Sequence, residues 1–150
     1  MPDQKLLSII LDYLVTSLDR EVLVEELQSA RAKLFDQKKE ITQHALAGLP
    51  HWLTPRLLES FPELSRSRID EELQQLIATL RELEVVQLQL SYEPSTQQIW
   101  QYLHLCRQHF GNNLVLQISR DSQIIGGVVL TYNGQQIDLS LRTKLQQTHV

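Results

Sequence analysis

Residues 85–119 read VVQLQLSYEPSTQQIWQYLHLCRQHFGNNLVLQIS. Val86, Leu88, Leu90 and Tyr92 alternate with Gln87, Gln89 and Ser91, and a period of two marks a half-buried strand. Pro94 and Ser95 interrupt it. The period then lengthens: Ile99, Leu103, Cys106 and Phe110 recur at helical spacing until Gly111 stops them. Leu114, Leu116 and Ile118 alternate again. Strand, helix, strand is a crossover unit, which favours two parallel strands in one sheet.

Downstream, Val128 to Tyr132 reads as a third strand. Asn133-Gly134 is a tight-turn signal, so Gln135 to Ile137 forms a short fourth strand antiparallel to the third. A last helix is expected at about Ser140 to Gln147. Residues 83–150 therefore form a small α/β module with a four-stranded mixed sheet and two helices.

Upstream the pattern is helical. Residues 4–18 carry Leu6, Ile9, Ile10, Tyr13 and Leu14 on one stripe, widened by Leu7, Leu11, Val15 and Leu18. Asp19 is placed to cap a longer helix over 19–47, in which Leu23, Leu27, Ala30 and Leu34 alternate four-three-four. That seam fades at Gln37 and His44, and Ala47-Gly48 ends it. Pro50, Pro55 and Pro62 make residues 49–67 a connector with one short turn at Arg56 to Ser60, anchored by Trp52 and Phe61. Ser67 is placed to cap a helix over 68–83 with Ile69, Leu73, Leu76, Ile77, Leu80 and Leu83 on one side. The fold class is α+β, with a helical region over 1–82 followed by the module.

The composition narrows the function classes. With 14 Lys and Arg against 18 Asp and Glu, the net charge of −4 lacks the basic footprint of a nucleic-acid binder. One cysteine, Cys106, permits no internal disulfide. The apolar run LLSIILDYLV over 6–15 contains Asp12 and falls short of the roughly 18 residues of a membrane span, so it is expected as a buried helix.

The chemistry-bearing residues are thinly spread. His104 and His109 are five apart, which turns them away from each other on a helix, and Cys106 lies on the apolar stripe, so no metal site is expected. No serine stands on a Gly-x-Ser-x-Gly elbow. Gly126-Gly127 leads into an apolar strand where a phosphate loop would open onto a helix, so backbone freedom explains the pair better than phosphate binding. No cofactor is expected. Trp100 lies off the helix stripe, and aromatics of this kind anchor interfaces.

The segment RDSQIIGGVVLTYNGQQIDLSLRTKLQQ, residues 120–147, resembles the C-terminal signature of the delta subunit family of F-type ATP synthases, known in mitochondria as the oligomycin-sensitivity-conferring protein. The family shows an acid, a Leu/Ile-Ile-Gly-Gly, an apolar strand, a short turn, Ile-Asp-x-Ser, and a helix with a basic residue and a leucine. Those positions here are Asp121, Ile124, Ile125, Gly126, Gly127, Val128, Val129, Ile137, Asp138, Ser140, Leu141, Arg142 and Leu145. Leu139 stands where the family often has glycine. The resemblance runs over about 83–147. Asp138 and Ser140 sit where the last helix begins, and either side chain suits the free backbone donors there. The signature residues are therefore expected to hold the module together.

The resemblance implies a non-catalytic peripheral-stalk subunit that joins the catalytic head of the synthase to the b-subunit stalk. Its partners would be the b and alpha subunits, with no nucleic acid and no small-molecule substrate. It would lie peripherally on the cytoplasmic face of a bacterial cell membrane. Residues 1–82 are short for the family's N-terminal bundle, which holds the alpha subunits. Candidate partner-binding residues are Leu23, Leu27, Leu34 and Trp100. Two other readings stand beside this one. A stator of a vacuolar, archaeal or export ATPase also joins helices to a small α/β end. A small hydrolase or transferase would bring Asp121, Asp138 and a histidine into one pocket.

Overall fold

The computed structural model describes residues 4–34, 46, 48–60, 65–124 and 127–138. It shows helices in the N-terminal half and a four-stranded mixed sheet with a helix in the C-terminal part, an α+β chain. The backbone divides into two compact units, one of Met1–Leu14 with Asp19–Glu82, the other of Val15–Leu18 with Leu83–Val150.

The helical unit starts with α1, Gln4–Tyr13, which buries Leu6, Leu7, Ile10 and Leu11. It stops short of the expected residue 18. Leu14 N–H makes a last helical bond to Ile10 O, 3.1 Å. The next residues then leave the helix, because the backbone at Val15 and Thr16 is taken up by pairing to a strand described below. α2, Ser17–Leu34, therefore begins two residues before Asp19, which lies in its first turn as a favourable charge for the helix dipole. Leu23, Val24, Leu27, Ala30 and Leu34 are buried along it. The expected seam positions Gln37 and His44 lie outside the described residues. Leu46 is helical and buried, and Gly48 turns.

α3, Thr54–Ser60, starts with Pro55 in its first turn, where a missing N–H costs nothing. It begins earlier than the expected Arg56, because Thr54 Oγ1 donates to Leu46 O at 3.1 Å and fixes the entry. Trp52 stacks on Tyr13 with ring centroids 4.2 Å apart and 5° between planes; Phe61 lies outside the described residues. α4, Arg66–Arg81, is capped by Ser65 and not by Ser67: Ser65 Oγ accepts from Arg68 N–H at 3.4 Å, and Ser65 has the extended backbone of a cap. Ile69, Leu73, Leu76, Ile77 and Leu80 are buried, as is Leu83 beyond the helix. α2 and α4 are tied by a forked ion pair, Arg31 Nε to Asp70 Oδ1 at 2.7 Å and Nη2 to Oδ2 at 3.4 Å.

The second unit holds β1, Glu84–Leu90; α5, Thr96–Phe110; β2, Leu114–Arg120; β3, Val128–Tyr132; and β4, Gln135–Asp138. The strand order is β2-β1-β3-β4. β1 runs parallel to β2 with Val86 beside Leu116 and Leu88 beside Ile118. β3 is antiparallel to β1 with Leu88 beside Leu130, and β4 is antiparallel to β3 with Leu130 beside Ile137. This register puts Val86, Leu88, Leu90, Leu116, Val128 and Leu130 in one core with Leu103 and Cys106 of α5 and with Val15. Val15 arrives by strand pairing: Leu116 N–H donates to Val15 O at 2.8 Å, and Thr16 bridges Leu116 in parallel.

α5 begins three residues before the first stripe residue. Ser95 Oγ accepts from Gln98 N–H at 3.2 Å, and Gln98 Oε1 accepts from Ser95 N–H at 2.9 Å, a reciprocal capping box. Between β3 and β4, Asn133 at φ 50° and Gly134 at φ 77° form the tight turn that the Asn-Gly pair announces. β2 runs to Arg120 and β4 to Asp138, each longer than its apolar alternation, because the ladder hydrogen bonds continue past it. The expected second helix at Ser140 to Gln147 lies outside the described residues.

Candidate functional site

Two of the signature residues, Asp121 and Gly127, meet at the end of β1. Asp121 follows β2, and its N–H donates to Leu90 O at 2.8 Å. Its Oδ1 accepts from Gln123 N–H at 3.0 Å, and its carbonyl accepts from Ile124 N–H at 3.3 Å. A short acid is suited to this place because its side chain replaces a turn hydrogen bond two residues on. At the other end of the loop, Gly127 N–H donates to Ser91 Oγ at 3.3 Å, and its φ of 148° disfavours any residue with a Cβ. Residues 121 and 127 are thus moored to Leu90, the last residue of β1, and to Ser91 just beyond it. Ile124 is half-buried; Ile125 and Gly126 lie outside the described residues. Asp138 is in register with Val129 at the end of β4. Ser140, Arg142 and Leu145 lie outside the described residues.

This arrangement does not bring the acids together. Asp121 follows β2 and Asp138 closes β4, three strand spacings away across the sheet, about 14 Å. His104 and His109 are exposed on α5, with His104 Nε2 3.1 Å from Gln108 Nε2. Among the described residues no three His, Cys, Asp or Glu side chains cluster as a metal site would require. Cys106 is buried, and burial pushes its thiol up to about 11. It is an inert core residue at neutral pH.

Three tyrosines flank the core. Tyr92 and Tyr102 share a hydroxyl–hydroxyl bond, and burial first, then Tyr92, pushes Tyr102 up to about 12. Tyr132 OH donates to Glu84 Oε2, which raises the Tyr132 hydroxyl above its usual range, and its ring stacks on Phe110 at 4.2 Å. These contacts fasten β1, β3 and α5 to one another.

The candidate interface residues divide. Leu23, Leu27 and Leu34 are buried, at 3%, 0% and 0% exposure. Their seam is covered within the protein, so it is not a free surface for a partner helix; a four-three-four spacing marks an apolar face and says nothing of what covers it. Trp100 is 43% exposed on α5. Sequence reasoning missed Leu105 and Ile137, also exposed, which line an apolar groove of about 350 Å³ together with Cys106, His109, Phe110 and Leu130. No one-dimensional pattern signals it, since it exists only where α5 runs beside β3 and β4. A second hollow, about 370 Å³, lies in the helical unit between Arg20, Glu21, Val24, Glu25, Gln28 and Arg81, where charges of both signs alternate. Among the described residues no helix is long and apolar enough to cross a membrane.

The family model of the ATP synthase delta (OSCP) subunit matches residues 57–149, more than half of the chain. The match begins in α3 and takes in α4 and the whole sheet, so it reaches further upstream than the stretch from about 83 over which the signature is legible. Among curated proteins none matches the chain.

Proposed function

The chain belongs to the ATP synthase delta (OSCP) subunit family, which makes it a peripheral-stalk subunit of the synthase, and from that premise we propose that it links the catalytic head to the b-subunit stalk without catalysing a reaction itself. The observation that carries the reading is the continuous match from residue 57 to residue 149. In this role the module over 83–150 receives the ends of the b subunits, and the helical region over 1–82 faces the alpha subunits. The subunit sits at the cytoplasmic face of a bacterial membrane as part of the proton-translocating complex. It binds neither nucleic acid nor a small-molecule substrate. Trp100, exposed on α5, is the residue proposed to anchor the b contact.

Purification of the tagged full-length chain from detergent-solubilised membranes tests this directly. The alpha and b subunits are expected to co-purify in one complex. Recovery of an export or vacuolar-type ATPase in their place overturns the assignment. Trp100→Ala in the same full-length chain is expected to lower b recovery while leaving the fold's thermal transition unchanged.

A further inference from the structure

The corner between α1 and α2 is not encoded by the residues that form it. From Gln4 to Leu34 the chain holds neither glycine nor proline. Leu14 N–H still makes its helical bond to Ile10 O at 3.1 Å, and α2 begins at Ser17. Val15 and Thr16 are β-branched, which disfavours a helix only weakly. What holds them extended is β2, through Leu116 N–H to Val15 O at 2.8 Å and the bridge from Thr16 to Leu116. Without that pairing the local preference of residues 4–34 is one continuous helix, about 46 Å long. A second observation points the same way. Leu18 is 65% exposed and Val22 48% exposed, the two most exposed large aliphatic side chains among the described residues. On α2 both lie away from the seam of Leu23, Leu27 and Leu34. In a straight helix Leu7, Leu11, Leu14, Leu18 and Val22 fall within an arc of about 80°, one unbroken apolar stripe.

Straightening draws α1 out of its seat, and the buried Leu6, Leu7, Ile10 and Leu11 then need another. Only a second copy of this chain offers a seat already shaped for that sequence. There the contacts of α1 are regained, down to the stack of Tyr13 on Trp52. We propose that the chain exchanges α1 with a second copy of itself: residues 14–16 join α1 and α2 into one helix, α1 docks in the helical unit of the other copy, and Leu18 and Val22 of the two helices pack on each other about the two-fold axis. The exchange withdraws Val15 from the sheet core and frees its place on the edge of β2. It gains the helical hydrogen bonds of the hinge and the burial of Leu18 and Val22.

The full-length chain is refolded from urea at low and at high protein concentration and separated by size. A dimer is expected only from the concentrated sample, and once formed it should persist on dilution, since its return to monomers requires α1 to leave its seat. A bismaleimide then links Tyr13→Cys to Trp52→Cys, with the buried Cys106 silent. In the dimer the link is expected between chains, in the monomer within one. Links within one chain in the dimer overturn the proposal, as does a chain that stays monomeric at high concentration. Thr16→Pro bars a helix through the hinge and keeps Val15 extended, so the dimer yield is expected to fall about tenfold. The double variant Leu18→Glu, Val22→Glu should lower the yield as well and leave the monomer's thermal transition in place, because both side chains are exposed there. An unchanged yield in either folded variant overturns the proposal. Should Thr16→Pro fail to fold, the double variant and the link decide.

Discussion

Leu27, Leu34, Leu53 and Leu73 of the helical unit have no exposed surface at all. An apolar side chain of similar volume could stand at each of these places and leave the unit much the same. In the sheet unit the telling residues are of another kind. Asp121 completes its turn with its own carboxylate, Gly127 and Gly134 have positive φ, and Ser95 and Gln98 bond each other's backbone. At those positions the backbone selects one or two residue types. The difference explains why the chain's family signature is concentrated in the loops of its sheet half. A family becomes legible where conformation restricts identity, and a leucine-filled helix face restricts only volume and polarity.

The comparison is open to breakage at four points. Leu27→Ala should cost about 2–5 kcal/mol by urea denaturation, while Leu27→Met should cost less than about 1.5 kcal/mol. If the two cost the same, the helical unit is as exacting as the sheet and the contrast fails. Asp70→Asn leaves Arg31 partly buried beside a neutral amide and should cost about 1–3 kcal/mol in the same measurement, reduced in high salt. Gly134→Val forces a β-branched residue into the left-handed region and should cost about 1–2 kcal/mol, although nothing would crowd its Cβ. A neutral result would show that the β3–β4 turn relaxes.

The smallest effect is confined to alkaline solution. The unfolded chain loses the Cys106 proton near its ordinary 9, the folded chain only near 11. Between those values the folded state holds more protons, so rising pH favours unfolding. The melting temperature should hold below pH 9 and then decline toward pH 11, and Cys106→Ala should flatten the part below about pH 10, above which the raised Tyr102 and Tyr132 hydroxyls add their own decline.

Much of the architecture is legible in sequence. The shift from period two to helical period and back marks β1, α5 and β2, and Asn133-Gly134 marks the hairpin. The start of α5 is also present as Ser95-x-x-Gln98, although the apolar stripe draws the eye to Ile99. Other features escape for physical reasons. The end of α1 depends on Val15 pairing with Leu116, about a hundred residues away, and no local pattern contains that partner. Ser67 reads as the cap until the backbone of residue 65 is seen to be extended. For the site, the turn-forming part of the signature is readable as residue types with known conformational habits. The groove beside Ile137 is not, because it arises from two elements lying side by side.

Residues Val15–Leu18 belong to the sheet unit, while the residues on either side of them belong to the helical unit, so the backbone passes between the units three times. A protease that cuts once between Glu82 and Leu83 does not part them cleanly. The fragment over 1–82 keeps its grip through Val15 O on the edge of β2, and a module expressed alone from Leu83 would lose Val15 from its core and bare that edge. In mechanical language, the insertion acts as a second fastening in parallel with the covalent joint. Separating the fragments then requires two separate events, one broken bond and one bridge peeled from the edge of β2.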